Sequence, residues 1–559
     1  MRNLLSEKLK AALIFGCFLL TSWLCVDTDL RAQSNHWTQN PAVPLIDIGK
    51  NHLELKEIKG DKELIAYKVL GKTDWIEAEA KETESQIIEG LQPAGIYYLS
   101  LAYKNEEGLT DTLHHYPFVT RSESSGTFKV YFNSPVNTDL SLGFSPESTS
   151  GTVLRDAIID KINQARYTID VAAFNNNRVE IVDALNQAGN RGVRVRYIAE
   201  GSNANTALNR SLAFEVLKRN DDQGIMHHKF LAIDAEDSEN SWTLMGSTNL
   251  TTQQIATDNN NMLFIQDQSL TRIYEMEFEE MWGSDGPVPD LSNSRFGENK
   301  RDNTPHWLMI GEIPVESYFS PSDNTAFHIS NALFDAEESI SFALLLFTFN
   351  PLSEVIIQKH HQGLNVRGLI HDIDANGTRY NRLKSNGVNV YANSVNGVQL
   401  HHKYALIDAD EQNGTPKVIT GSHNWTNRAN NHNDENTLII HSLEITNIFR
   451  QEFEARWCES VPQECFVNTS DYTVEEPFFY TYPNPSRGKV WFNMDVVDEM
   501  APHTVMVFDN RGQLLKSKYQ PASQGPIESL NLSGWPAQTY FIKYQIGSRH
   551  HIQPLIIQQ

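Results

Sequence analysis

At 559 residues, with 40% hydrophobic and 10% aromatic content, the chain is too long for one core and reads as about three or four globular units, which excludes a disordered chain. Its formal net charge of -24 counts against a general nucleic-acid-coating role, because that binding rests on Lys and Arg neutralising phosphates. A local positive pocket is compatible with the same charge.

The amino terminus carries Arg2, Lys8 and Lys10, then an apolar run from Ala11 to Leu24, then the polar stretch LRAQSNHW. That run is shorter than the roughly 18 to 20 residues of a membrane span, so residues 1–32 read as an export signal cleaved near Ala32. Cys25 raises lipidation as an alternative, but SWLC lacks the small residues normal before a lipidated cysteine. Cys458 and Cys465, in WCESVPQEC, read as a disulfide closing a small loop in an oxidising compartment, with two free thiols as the alternative.

Residues 35–122 alternate apolar and polar positions between turn-like breaks, the pattern of short antiparallel strands in a sandwich. Within them LQPAGIYYLSLAYKNEEG, with Leu91, Pro93 and Tyr97, resembles the fibronectin type III domain, although the tryptophan usual in an early strand of that family is not evident. The resemblance implies a β-sandwich that carries no catalytic residues.

From Phe128 the chain repeats itself at a period near 175 residues, which suits a duplicated domain covering 128–290 and 311–467. Each copy opens with a strand ending in Pro, VYFNSP and SYFSP, and continues as helix, strand, helix, strand. Each closes with a helix in which Phe278 matches Phe453 and Trp282 matches Trp457. Alternating strands and helices predict an α/β fold, a sandwich with helices covering a mixed sheet. The stretch GSDGPVPDLSNSRFGENKRDNTPHW between the copies reads as a linking loop. Residues 478–559 alternate like strands again, and YPNPSRGKVWF, opening on Tyr482, Pro483, Asn484 and Pro485, resembles the carboxy-terminal sorting domain of the type IX secretion system. That resemblance implies export across an outer membrane, to the medium or the cell surface, with the type IX machinery as a partner. An accessory β domain is the plain alternative.

The chemistry is concentrated in GIMHHKFLAIDAEDSENSWTLMGSTNLT and its copy VQLHHKYALIDADEQNGTPKVITGSHNWT. His227 aligns with His401, Lys229 with Lys403, Asp234 with Asp408, Ser247 with Ser422 and Asn249 with Asn424. Side chains alternate along a strand, so His227 and Lys229 share one face while His228 points away. One His-x-Lys would read as a solvated strand end; two complete copies read as one shared active site.

These motifs resemble those of the phospholipase D superfamily, His-x-Lys, four residues, Asp, then Gly-Ser-x-Asn, with a longer Asp-to-Gly segment here that reads as a longer hairpin tip. The resemblance spans about 128–467 and implies a phosphohistidine intermediate, with His227 as nucleophile and His401 as general acid and then base. The residue types suit that chemistry: Lys229 and Lys403 neutralise an anionic phosphodiester, Asn249 and Asn424 supply donors, and imidazoles attack phosphorus and protonate the leaving oxygen. Glu435, facing Asn260 in the alignment, is an orienting carboxylate of the family type, for which Asp258 is a substitute in the first copy. Asp234 and Asp408 read as structural, holding loops or the contact between halves. No metal or other cofactor is implied.

The leading reading is an exported phosphodiesterase hydrolysing phospholipid head groups, monomeric because one chain supplies both halves. An extracellular endonuclease with the same site and a nucleic-acid substrate is the alternative, favoured by GSHNWTNRANNHNDENTLII and opposed by the acidity. A surface binding protein that keeps the fold without the chemistry is the third reading, and two intact motifs oppose it.

Overall fold

The computed structural model describes residues 45–558, with interruptions at 57–61, 73, 75, 78–84, 106–109, 221–222, 394, 396, 410–414, 463–464, 466–478, 495–502, 510–513, 522–525 and 547–548. The expected export signal, 1–32, and the first residues of the expected 35–122 sandwich lie outside the described residues. The chain divides into two compact units, residues 1–91 with 97–117 and residues 92–96 with 118–559.

The alternating stretch at the amino terminus forms strands β1 (Leu45–Ile48), β2 (His52–Lys56), β3 (Lys62–Val69), β4 (Ile76–Glu77), β5 (Ser85–Glu89), β6 (Ile96–Asn105) and β7 (Thr110–Val119). They make two small sheets, ordered β1-β2-β5 and β4-β3-β6-β7. Leu99 and Leu101, two positions apart on β6, are buried together with Leu53 and Val69, as the two-residue period of a strand requires.

The first copy contributes β8 (Thr127–Phe132), α1 (Gly151–Gln164), β9 (Thr168–Ala173), α2 (Val179–Asn190), β10 (Arg194–Glu200), β11 (Glu215–Arg219), β12 (Lys229–Ile233), β13 (Trp242–Gly246), α3 (Thr252–Ala256), β14 (Asn261–Gln266) and α4 (Gln268–Trp282). Its sheet runs β11-β10-β9-β12-β13-β14-β8. The second contributes β15 (Trp307–Ile310), β16 (Ile313–Ser320), α5 (Thr325–Phe334), β17 (Ser339–Leu344), α6 (Asn350–His361), β18 (Asn365–Ile370), α7 (Tyr380–Ser385), β19 (Asn389–Ala392), β20 (Lys403–Ile407), β21 (Lys417–Gly421), α8 (Asn427–Asn431), β22 (Glu435–Ile440) and α9 (Leu443–Ser460). Its sheet runs β15-β16-β22-β21-β20-β17-β18-β19, the same order with β15 added at one edge. Both sheets are mixed: β9 and β17 pair parallel to β10 and β18, and antiparallel to β12 and β20.

Burial explains why the helices lie where they do. Leu154, Ile158 and Ile162 recur every four residues on α1 and pack with Ile181, Val182 and Leu185 of α2 over the outer face of the first sheet. Leu352, Val355 and Ile356 of α6 do the same in the second half. A third cluster runs through both halves, joining Tyr274, Phe278 and Trp282 of α4 to Phe449, Phe453 and Trp457 of α9. The two sheets therefore share one core, and the strand ends that carry the repeated motifs are fixed relative to each other.

Asp234 and Asp408 sit just past β12 and β20 in the left-handed region, each with φ 52°. Asp234 accepts the backbone N–H groups of Arg166, Tyr167 and Thr168 at 2.8, 2.7 and 2.9 Å. Asp408 likewise accepts those of Glu337, Glu338 and Ser339. Each thus holds the helix-to-strand turn of its own half, the loop-holding role expected of it. Asp234→Ala strands three N–H groups and is expected to lower stability by about 3 kcal/mol, read as an earlier urea midpoint at unchanged slope.

The carboxy-terminal strands β23 (Phe479–Tyr482), β24 (Lys489–Met494), β25 (His503–Phe508), β26 (Leu514–Gln520), β27 (Ser529–Asn531), β28 (Thr539–Ile546) and β29 (Arg549–Ile556) form sheets ordered β23-β24-β27 and β26-β25-β28-β29 around Val490, Val505, Ile542 and Leu555. Cys458 and Cys465 are joined in a disulfide. Among the described residues no helix is long and apolar enough to cross a membrane.

Candidate active site

The two motif segments meet by exchanging backbone partners between halves. Just before β12, the N–H of His227 donates to the carbonyl of Asp434 at 2.9 Å, and just before β20 the N–H of His401 donates to that of Asn259 at 2.9 Å. Residues 226 and 434, and 259 and 400, form matching parallel bridges, the self-complementary contact of a pseudo-twofold axis.

The side chains repeat the exchange. His227 Nδ1 lies 2.6 Å from Glu435 Oε2, whose carboxylate also accepts Ser422 Oγ–H at 2.7 Å and the Asn433 amide at 3.2 Å. His401 Nδ1 lies 2.9 Å from Asn260 Oδ1, which also accepts Ser247 Oγ–H at 3.0 Å. Both partners are acceptors, so each Nδ1 carries its proton and each Nε2 keeps the lone pair. Asn260 occupies the place that the alignment left open to Asp258. The Asp258 carboxylate is instead engaged by Gln253 and Gln254 at 3.2 and 3.1 Å and by the N–H of Gln399 at 3.3 Å.

The other residues of the motif divide between alignment and support. Lys229 Nζ donates to the His227 carbonyl at 2.5 Å and Lys403 Nζ to that of His401 at 2.6 Å, which ties each ammonium to its own imidazole segment. Phe174 meets His227 edge to face at 4.7 Å. Ser247 and Ser422 also accept the N–H groups of Asn261 and Asn436, both at about 3.1 Å or less, so they brace the orienting residues. Gly246 and Gly421 precede them because any Cβ would stand 2.4 Å from the Asn261 carbonyl oxygen or 2.2 Å from that of Asn436. Asn249 donates to Gln254 at 3.3 Å, and the Oδ1 atoms of Asn249 and Asn424 are buried without a hydrogen-bond partner.

Behind the site, His228 and His402 point the opposite way, to Glu277 at 2.8 Å and Glu452 at 2.9 Å. Sequence reasoning missed both glutamates, although Glu277 precedes Phe278 as Glu452 precedes Phe453. It also missed Arg219 and Lys300, which have no counterpart at a matching position and leave no repeat signal.

The charge balance favours an anion. Burial, then the Lys229 and Lys403 ammoniums, hold His227 well below the usual histidine range, and burial with the same lysines does so for His401. Burial lowers Lys229 to about 7 and drives Lys403 well below its ordinary value, with Lys229 adding repulsion. Burial raises Glu435. An anionic ligand between the lysines opposes the downward shifts of the histidines and lysines. Since the depressed Lys229 keeps its charge only below about pH 7, KM for an anionic diester is expected to rise as pH increases above that point, by up to about tenfold per unit, in steady-state kinetics from pH 6 to 9.

Asp302, His306 and Asp323 form the one His and carboxylate cluster of metal-binding dimensions among the described residues. His306 Nε2 faces Asp302 at 3.0 Å, while Nδ1 lies 3.0 Å from the Ser317 carbonyl and 3.8 Å from Asp323. The carboxylates thus face opposite nitrogens, and with His306 raised to about 9 the group is a paired imidazolium.

Two stretches, 158–282 and 329–457, match the family described as cardiolipin synthase, PLD-like domain, and residues 480–558 match the secretion system C-terminal sorting domain. The chain thus carries a duplicated PLD-like domain ahead of a sorting domain. It is 33% identical over 144 residues to a mitochondrial cardiolipin hydrolase of Mus musculus, covering 25% of this chain and 62% of that one. It is 28% identical over 146 residues to a phospholipase D of Rickettsia conorii, covering 26% and 70%. The chain spans about half to three fifths of the length of the vertebrate relatives. Among solved structures, a phosphatidylserine synthase of Haemophilus influenzae aligns with TM-score 0.42 and 13% identity over 59% of this chain and 86% of that one. The phospholipase D family member Nuc of Salmonella typhimurium aligns with TM-score 0.23 and 21% identity over 26% and 95%.

Proposed function

We propose that this protein is an exported phosphodiesterase of phospholipase D type that hydrolyses a phospholipid head group through a phosphohistidine. The observation that carries the reading is the pair of crossed imidazoles: each Nδ1 is held from the opposite half, each Nε2 keeps its lone pair, and two ammoniums stand beside them. His227 Nε2 attacks phosphorus, forming the N–P bond as the P–O bond to the leaving alcohol breaks, and His401 gives that oxygen its proton. Water then attacks phosphorus, His401 takes the water's proton, and the N–P bond breaks. Lys229 and Lys403 neutralise the phosphoryl oxygens, with the amides of Asn249 and Asn424 beside them.

The charge of Glu435 supports this order. A carboxylate behind His227 stabilises the positive ring formed on attack, and the neutral amide of Asn260 behind His401 lets that ring give and take a proton. The imidazolium form of His401 is disfavoured in the free site and is restored when the diester's negative charge enters. The cycle uses only these side chains and water.

The relatives named cardiolipin hydrolase and phospholipase D support a lipid substrate, the net charge of -24 opposes nucleic acid, and the sorting domain supports type IX export. The test offers the purified protein phosphatidylcholine and cardiolipin vesicles, single-stranded DNA and duplex DNA in parallel, in EDTA, with His401→Ala as control. Head-group release by the wild type alone supports the proposal. DNA cleavage without head-group release moves the substrate to nucleic acid, and silence on all of them refutes the enzymatic reading for these substrates.

A further inference from the structure

The segment joining the halves, expected from its composition to be a linking loop, reaches the back of the His227 site. The Asp434 carbonyl accepts the N–H of His227 at 2.9 Å. Its carboxylate is held by Arg219 at 2.6 Å and by the linker's Gly297 N–H at 2.8 Å. Lys300, also in the linker and with 0% of its side chain exposed, donates to Glu277 Oε1 and stands 3.7 Å from Asp434 Oδ1. Glu277 Oε1 in turn lies 2.8 Å from His228 Nε2. One buried ammonium thus bridges the residue that holds the His227 backbone and the residue that holds its neighbour.

The second half fills the same place differently. Glu452, the match of Glu277, lies 2.9 Å from His402 Nε2, and its cation is Arg456 of the same helix, at 3.7 Å. Arg456 also donates at 3.0 Å to Asn259, the residue whose carbonyl accepts the N–H of His401. With Phe278 set on Phe453 and Trp282 on Trp457, Arg456 falls opposite Met281, a neutral thioether. In the first half the helix offers no cation at that position, and the linker brings one.

We propose that Lys300 is a positioning residue for His227, taking in the first half the role that Arg456 fills in the second, and that the linker is therefore part of the active-site framework. This rests on the reading of His227 as the reacting imidazole. A buried carboxylate that loses its cation is costly and rearranges, and the His227 segment moves with it. Misplacement of a reacting group by a fraction of an ångström to 1 Å is enough to slow chemistry by orders of magnitude while binding persists.

The experiment measures hydrolysis of bis(p-nitrophenyl) phosphate by the full chain, with the imidazole ¹⁵N signals of His227 and His228 recorded alongside. Lys300→Met is expected to lower kcat roughly ten- to a hundredfold, with KM within about twofold. Adding Met281→Arg, which copies the second half's arrangement, is expected to recover most of that loss and return the imidazole signals towards wild type. Lys300→Arg, which keeps the charge at its own position, should retain the larger part of kcat. If Lys300→Met leaves kcat and the signals unchanged, or if neither arginine variant recovers what it loses, Lys300 has no positioning role and the proposal falls. An inert wild type would refute the enzymatic reading instead; the imidazole signals would then decide on Lys300 alone, supporting it if they move in Lys300→Met and return with Met281→Arg.

Discussion

His401→Ala is expected to release about one equivalent of p-nitrophenol from an activated diester and then stop, whereas His227→Ala should release none above background. p-Nitrophenolate leaves without a proton, so attack by His227 does not need the acid, but the following attack by water needs the base. Turnover should fall at least about 10⁴-fold in both variants. Only His401→Ala should hold phosphorus covalently, visible as an acid-labile, base-stable phosphohistidine in ³¹P spectra of the denatured protein. A burst in His227→Ala with none in His401→Ala would reverse the assigned roles. Steady turnover in either would remove that histidine from the chemistry.

Glu435→Gln is expected to be the most damaging conservative change outside the histidines and lysines. It preserves shape and leaves an oxygen able to accept from His227 Nδ1 and Ser422, gives up the 3.2 Å bond that Asn433 makes to the other oxygen, and removes the charge 2.6 Å behind the ring. If that charge stabilises the positive ring of the phosphoenzyme, kcat should fall roughly 10³- to 10⁴-fold with the melting temperature little changed. Asn260→Ala removes one neutral hydrogen bond to His401 and should cost about tenfold. Equal losses in the two variants would show that the orienting groups act by geometry alone, and would leave the order of the two histidines without electrostatic support.

Much of this site was legible as pattern. The apolar runs after Lys229 and Lys403 are strands because five consecutive buried residues follow each lysine in the middle of a sheet covered on both faces. The alternation that puts His227 and Lys229 on one side and His228 on the other follows from the period of a strand, and His228 duly meets Glu277 on the opposite side. Duplication identified equivalent residues without any knowledge of where they lie.

What pattern could not decide is which residue meets which. The sequence by itself determined two halves with the same succession of strands and helices, a strand at each motif, and a Glu or Asn at the position that orients an imidazole. Only the tertiary structure decided that Glu435 serves His227, 208 positions away, that Asn260 and not Asp258 serves His401, and that Lys300 stands in for a helix cation absent at Met281. The physical reason is that local propensity and polarity act over a few residues, whereas these contacts exist because α4 and α9 pack into one core and press the motif ends of both sheets together. A charge such as Lys300 can be placed there by any segment that reaches the gap, and nothing in its own neighbourhood records the destination.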